Sequence, residues 1–254
     1  MDLRLEDPWL LPGFEIAKST APSGTEWIWD RVARAPADIE AHVRQGGLRL
    51  TDAQVTDATL FVDAAAAIGA VPSLAAIVAA RVGEIHLLKA DPGYDVSHSE
   101  PAWVDRIFVS LPERRDRVGA LRLAESIIHE AMHLHLTLLE RDCPLVRDVD
   151  GQTFSPWRQT HRPFGGVLHG VYVFVRLAAF FVGTDEPQGS AAARHVHQRL
   201  TEIADELASI DQANLKAGLT SAGRQLVKLL MQGEAIARSF PSIPIPYRYD
   251  RTSH

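Results

Sequence analysis

The apolar segment from Pro163 to Gly183 constrains the fold of this chain more than any other part of the sequence. It reads P-F-G-G-V-L-H-G-V-Y-V-F-V-R-L-A-A-F-F-V-G, and a bilayer-spanning helix needs about 20 such residues. However, it contains His169 and Arg176, and an arginine at the centre of a span costs about 2.5–3.5 kcal/mol. We therefore expect a buried core helix that carries two functional polar residues, and no membrane association.

The composition is that of a soluble globular protein. Of the 254 residues, 46% are hydrophobic and 23% are charged, and the formal net charge of −6 indicates no nucleic-acid partner. Cys143 is the one cysteine, which excludes a disulfide framework and is typical of a reducing compartment. Because the opening M-D-L-R-L-E-D-P-W has charges of both signs and no apolar run, we predict no signal peptide and a cytoplasmic location.

Turn residues and hydrophobic periodicity divide the chain into helices and a few short strands. Helices are predicted over residues 26–44 (interrupted at Ala35-Pro36), from Thr51 to Gly69, and over 73–81, 117–141, 163–183, 191–217 and 220–240. Strands are predicted over 83–89 and 106–110, which are short apolar runs bounded by Gly, Pro or Asp. Polar loops are predicted between these strands and over 144–162, and an extended tail after residue 240.

These elements predict a mainly α (α+β) fold with a small β-sheet and a metal site between two buried helices. We expect a single domain over residues 1–254. Its parts are an N-terminal arm (1–25), a helical part (26–82), a part with the strands and the metal-site helices (83–183), and C-terminal helices with a tail (184–254).

The motif H-E-A-M-H, residues 129–133, lies within the predicted helix 117–141. His129 and His133 are four residues apart, so both imidazoles leave the same face of the helix and can bind one metal ion. The helix is otherwise apolar, and a buried polar group without a partner costs about 1–3 kcal/mol, which a metal ion would offset. The motif is short enough to occur by chance, but its apolar surroundings favour a metal site.

Two standard patterns for a third metal ligand are not matched. Leu136 and Leu139 stand where metzincins need glycine and histidine. A glutamate from a later helix is available at Glu202 or Glu206, but both lie in the charged stretch T-E-I-A-D-E-L-A, where solvated carboxylates are expected.

Two other residues are candidates for the third metal ligand. Glu140 shares the histidine face, but it lies about 10 Å beyond His133 along the helix axis, too far to share the ion. His169, in the apolar helix 163–183, is the remaining candidate. The other histidines are not expected to be ligands: His135 points away from this face, and His195 and His197 lie on a polar helix and are expected to be solvated.

Two further blocks make the pattern more specific. They are F-S-P-W-R-Q-T-H-R-P-F-G-G-V-L-H-G-V-Y-V-F, residues 154–174, and D-V-S-H-S-E-P followed by R-I-F-V-S. Read with S-I-I-H-E-A-M-H-L-H-L, they resemble the HExxH-motif peptide-modification proteins of ribosomal peptide natural-product pathways, whose members are described as α-ketoglutarate-dependent peptide β-hydroxylases. The resemblance covers about Tyr94 to Phe181.

The resemblance implies an Fe(II) centre held by His129, His133 and His169, with 2-oxoglutarate and O₂ at the remaining positions. Imidazole suits Fe(II) as well as Zn²⁺, and an oxygenase needs open coordination positions. Because the usual facial triad contains a carboxylate, Glu130 is an alternative third ligand or a residue that orients the site.

2-Oxoglutarate also needs a cation for its distal carboxylate, and arginine binds carboxylates through paired hydrogen bonds. Arg158 and Arg162 belong to the block of the resemblance, and Arg176 lies seven residues after His169 on the same helix face. The candidate substrate-binding residues are His98, Glu100 and Trp157.

The sequence thus predicts a non-haem Fe(II)/2-oxoglutarate-dependent oxygenase that hydroxylates a side-chain carbon, at Cβ, of a ribosomally made precursor peptide. The alternative is a zinc-dependent H-E-x-x-H metallopeptidase with Glu130 as general base. A second alternative is a catalytically inactive peptide-binding protein whose histidines bind structural zinc or no metal.

Overall fold

The computed structural model describes residues 24–237, with side chains described up to residue 232. The predicted arm over 1–25, except for its last two residues, and the predicted extended tail therefore lie outside the described residues. The helices are α1 (Ala37–Gln45), α2 (Ala58–Gly69), α3 (Pro72–Arg81), α4 (Arg117–Asp142), α5 (Phe164–Gly183), α6 (Ala191–Ala208), α7 (Gln212–Ala217) and α8 (Ser221–Ala237). The strands are β1 (Leu50–Thr51), β2 (Glu84–Leu88), β3 (Ser97–Ser99), β4 (Arg106–Ser110), β5 (Gln152–Ser155) and β6 (Thr160–Pro163), and short 3-10 helices cover Glu26–Arg31 and Val55–Asp57.

A mixed four-stranded sheet has the strand order β1-β2-β4-β3. The two predicted strands, β2 and β4, are confirmed; they pair in parallel at its centre, with Ile85 opposite Ile107. Strands β1 and β3 are antiparallel edges, and β5 and β6 form a separate hairpin. The predicted mainly α fold with a small sheet is confirmed.

Helix α4 is the central element of the fold. It begins after Asp116, whose carboxylate accepts a hydrogen bond from the backbone N–H of Gly119, and it runs unbroken to Asp142. Helices α2 and α3 pack against it on one side and α5 on another, and strands β3 and β4 lie alongside. Most of its apolar residues are buried, so the H-E-x-x-H motif is held on a helix that is fixed by close packing.

The apolar segment forms the core helix α5, which packs against α4, α6 and α8. It is long and apolar enough to cross a membrane, but 67% of its apolar window is buried inside the fold. Tyr172, Phe180 and Phe181 are fully buried. The segment is therefore a buried core helix of this fold, as predicted.

Several local predictions differ from the structure. The helix predicted from Thr51 begins at Ala58, because Leu50 and Thr51 pair with β2 as an edge strand. The helix predicted over 191–217 is divided between α6 and α7, since Asp211 caps a new helix by accepting from the N–H of Asn214. The loop predicted over 144–162 contains strand β5 and the start of β6.

The polar loop predicted between β2 and β4 contains the edge strand β3. The carbonyl of Val96 accepts from the N–H of Ser110, and the Ser110 hydroxyl accepts from the N–H of Val96, which starts the pairing. The sequence S-H-S has no apolar alternation, so the strand could not be recognised by its pattern.

Candidate metal centre

The two histidines of the motif lie together in a cleft, as their spacing predicts. Nε2 of His129 is 3.2 Å from Nε2 of His133, and the rings meet edge to face at 4.9 Å. Two nitrogens bound at about 2.1 Å to one tetrahedral or octahedral ion lie about 3.0–3.4 Å apart. The pair therefore fits two neighbouring positions of one metal ion.

Both imidazoles are held in the neutral form that a metal needs. Burial, with smaller contributions from the positive charges of Arg158 and Arg199, lowers the pKa of His129 to about 4. Burial lowers the pKa of His133 to about 3, with a smaller effect of the neighbouring His129. Because neutral imidazole is the ligating form, neither ring has to lose a proton before it binds a metal at neutral pH.

Glu130 lines the same cleft as the histidine pair, and its carboxylate is directed to the edge strand β3. Its Oε1 accepts a hydrogen bond of 2.6 Å from the hydroxyl of Ser97, and its Oε2 accepts one of 2.6 Å from the hydroxyl of Ser99. The side chain is buried, so these two donors satisfy a carboxylate that would otherwise be costly. We call Glu130, Ser97 and Ser99 the serine clamp.

His169 reaches the pair from α5 and contacts His133 rather than the space between His133 and His129. Its Nδ1 is 3.2 Å from Nδ1 of His133, the two rings are stacked at 5.4 Å, and its Nε2 is 2.8 Å from Oε2 of Glu140. Among residues 24–237 no group of three or more His, Cys, Asp or Glu side chains surrounds one point as metal ligands. The ligand set of His129, His133 and His169 thus stays a prediction.

One assignment of protons satisfies this row of side chains. Nε2–H of His169 donates to Glu140, and Nδ1–H of His133 donates to the free Nδ1 of His169. The lone pair of His133 Nε2 then faces His129, where a metal ion would need it. Carboxylates commonly orient metal-binding histidines in this way.

The histidines line a cleft of about 550 Å³ between α4 and β3. Of the three predicted arginines, Arg158 lines this cleft, from the turn of the β5–β6 hairpin. Arg162 is exposed, beside Gly166 of α5. Arg176 lies over the ring of Tyr172, whose hydroxyl bonds to His135 at 2.7 Å, and none of these three residues lines the cleft.

The predicted substrate-binding residues have different surroundings. His98 lines the cleft, and its Nε2 is 3.5 Å from Oε2 of Glu100. The ring of Trp157 stacks on Phe174 at 4.8 Å, and Phe174 in turn meets the ring of His129 at 5.7 Å. Trp157 therefore supports the wall behind the histidine pair.

A second cleft of about 540 Å³ adjoins the first and shares with it Asp95, Ser97 and His129. His195 lies in it, and burial lowers the pKa of its ring to about 4, so the expectation that His195 is solvated is wrong. Arg199 pairs with Glu125 at 2.6 Å in the same cleft, and burial raises the pKa of Glu125.

The sequence signals for these missed residues were weak. Ser97 and Ser99 lie in the D-V-S-H-S-E-P block, but nothing in the block indicates that both hydroxyls meet Glu130. Glu125 precedes His129 by one helical turn on the same face, which could have indicated that it borders the site.

The fold and the cleft define an α+β protein with an H-E-x-x-H helix beside an antiparallel edge strand. No protein-family model matches the chain, and no curated protein is significantly similar to it. Its function is therefore inferred from the residues of the cleft.

Proposed function

We propose that this protein is a cytoplasmic non-haem Fe(II)/2-oxoglutarate-dependent oxygenase that hydroxylates a side-chain carbon, at Cβ, of a ribosomally made precursor peptide. The observation that carries the proposal is the 3.2 Å separation of the Nε2 atoms of His129 and His133 within an open cleft. Imidazole nitrogen is a ligand that Fe(II) accepts, and the open side leaves positions for other ligands.

Arg158 would bind the distal carboxylate of 2-oxoglutarate. It lines the same cleft as the histidine pair, and its charge contributes to the lowered pKa of His129 and His133. A guanidinium can hold a carboxylate through two hydrogen bonds, which orients the molecule as well as binding it. Arg162 and Arg176 have no such position.

The other residues of the cleft hold the reacting groups in place. Iron with 2-oxoglutarate and O₂ would supply the oxidant, with succinate and CO₂ as the other products. Glu140 and His169 orient His133, and the serine clamp fixes the helix against β3. Phe174 and Trp157 would hold the ring of His129 in place by packing beside it.

The state of Glu130 favours an oxygenase over a metallopeptidase. A general base must be within hydrogen-bond reach of the water whose proton it removes. Each oxygen of Glu130 already accepts a short hydrogen bond from a half-buried serine. These bonds suit a residue that positions the helix better than one that accepts a proton.

The test is anaerobic reconstitution with Fe(II), followed by titration with 2-oxoglutarate in a visible-light spectrometer. We expect a weak charge-transfer band that is lost in His129→Ala and retained in His161→Ala, which removes an exposed histidine outside the cleft. No band with tightly retained zinc would overturn the proposal in favour of the hydrolase. Binding of neither metal would favour a catalytically inactive peptide-binding protein whose two histidines only bond to each other.

A further inference from the structure

The edge of strand β3 carries backbone groups that the described residues leave unpaired. In the sheet, β3 is the last strand and pairs with β4 alone. Val96 and Ser110 exchange hydrogen bonds across this ladder, so the next hydrogen-bonded pair is His98 with Phe108. The N–H and C=O groups of Ser97 and Ser99 therefore point away from β4, towards the outer edge.

This edge forms one long wall of the histidine cleft. Five consecutive residues, 95–99, line the cleft, and the facing wall is α4 from His129 to Thr137. These nine helical residues span about 13 Å, which is the length of roughly four residues in an extended chain. The cleft thus has the shape of a slot between a strand and a helix.

Side chains along β3 alternate between the side that faces α4, which carries the histidine pair, and the opposite side. The side chains of Ser97 and Ser99 point to α4 and hold Glu130, whereas His98 points to the opposite face, beside Phe108. A strand added to β3 would continue the same alternation, so every second side chain of the added strand would face α4.

The short length of β3 is one common protection against strand addition, but three other common devices are missing from this edge. Natural edges are commonly blocked by proline, by lysine or by a bulge. The segment D-V-S-H-S, residues 95–99, contains neither proline nor lysine, and its register with β4 is continuous. Ser97 and His129 also line the adjoining cleft, so an occupant can extend past the histidine pair.

We infer that an extended peptide binds this protein by adding as a further strand to the outer edge of β3, with one side chain directed to His129 and His133. The inference rests on the proposed function for taking a peptide as the substrate. Backbone hydrogen bonds to Ser97 and Ser99 supply sequence-independent affinity, and the slot selects the side chain that faces α4.

The experiment uses the full chain without metal or 2-oxoglutarate, so its outcome does not depend on turnover. Peptides of twelve residues are selected from a random displayed library on the immobilised protein, and one enriched peptide is made with a fluorescent label. Binding is measured by anisotropy for the peptide and for versions that carry a single N-methyl group at each successive amide.

We expect N-methylation to weaken binding by about fivefold or more at alternate amides and to leave the amides between them unaffected, because only every second N–H faces β3. Weakening without this alternation, or a library that yields no enriched peptide, would overturn the inference. Either result leaves the spectroscopic test of the iron site unchanged, so the two proposals fail separately.

A matched pair of variants tests the protein side. Ser99→Ala removes the hydroxyl that bonds to Glu130 but keeps the backbone N–H, whereas Ser99→Pro removes both. Proline is tolerated on an edge strand where the N–H faces outwards. Peptide binding should be several-fold weaker for Ser99→Pro than for Ser99→Ala; equal affinities of two folded variants would contradict strand addition. If Ser99→Pro does not fold, the N-methyl series on the unchanged protein decides.

Discussion

Oε2 of Glu140 lies 2.8 Å from Nε2 of His169, although the two residues belong to different helices. Glu140 is too far along α4 to share an ion with His129 and His133, as its sequence position indicates. It acts instead on a histidine that α5 brings alongside. The row from Glu140 through His169 to His133 therefore connects a carboxylate to the lone pair that a metal would use.

Replacement of this carboxylate should weaken metal binding without unfolding the protein. Glu140→Gln keeps the size of the side chain but removes the charge that fixes the proton on His169. We expect the affinity for Zn²⁺ or Fe(II), measured by competition with a chelating dye, to fall about 10- to 100-fold. Asp142→Asn removes an exposed charge from the end of the same helix and is the control; equal affinities of both variants would show that Glu140 has no such role.

The serine clamp should couple β3 to α4 energetically. Ser97→Ala or Ser99→Ala leaves one oxygen of the buried Glu130 without its partner, at a cost of about 1–3 kcal/mol in the free energy of unfolding. In a Glu130→Gln background the same serine changes should cost less, because the uncompensated charge is gone. Urea unfolding of the double-mutant cycle measures the coupling; strictly additive losses would contradict it.

Arg158 lines the cleft whereas Arg162 is exposed, so variants of the two arginines can be compared. If Arg158 holds the distal carboxylate of 2-oxoglutarate, Arg158→Gln should weaken 2-oxoglutarate binding about 10- to 100-fold, as expected for a lost charged hydrogen bond. Arg162→Gln should leave it unchanged. The titration of the iron-loaded protein gives both values, and the reverse order of effects would reassign the site to Arg162.

Gly170 permits the close approach of Trp157 to α5. A Cβ at Gly170 would come closer to the indole ring than carbon atoms can, so Gly170→Ala should displace Trp157 and destabilise the protein by about 1–3 kcal/mol. Gly166→Ala, one turn earlier, meets only the flexible side chain of Arg162 at 3.8 Å and should be neutral or stabilising. Thermal unfolding distinguishes the two variants. Similar melting temperatures would show that Trp157 can move away from residue 170 without a loss of stability.

The metal-free protein should lose stability as the pH falls below about 6.5. Burial lowers the pKa of His129 and His195 to about 4 and that of His133 and His135 to about 3, so these four histidines bind protons in the unfolded chain at a pH where they stay neutral in the folded chain. Each histidine then contributes up to about 1.4 kcal/mol per pH unit between 6.5 and its folded pKa.

Urea unfolding between pH 7.5 and pH 5 measures this slope in the presence of a chelator. His135→Phe removes one of these four histidines, and His135 lines neither cleft, so the change should reduce the slope by about one quarter without altering the histidine pair. A slope that is the same in His135→Phe and in the unchanged protein would contradict the assignment of His135.

The parts of the fold that follow a regular pattern were predictable. The periodicity of α4 and α5 and the apolar runs of β2 and β4 stand out in the sequence, and the histidine spacing placed the pair on one face. Strand β3 and the β5–β6 hairpin were not predictable, since their residues are polar and their pairing depends on partners elsewhere in the chain.

Contacts between elements could not be predicted from the sequence for the same reason. The contact of Glu140 with His169 and that of Glu130 with two serines depend on how α4 lies against α5 and β3. His195 belongs to a helix with a polar sequence, and its burial results from the packing of α6 against α4 and α5. Burial of a polar residue is decided by the neighbouring element rather than by the sequence around it.

The serine clamp also determines the width of the opening next to the histidines. On this side of the cleft, the separation of helix and strand is fixed by two hydroxyl-to-carboxylate bonds of 2.6 Å. Short bonds of this kind tolerate little variation in length, unlike a contact between flexible apolar chains. The opening should therefore keep one width, so that the size of a side chain that can enter it is limited by fit.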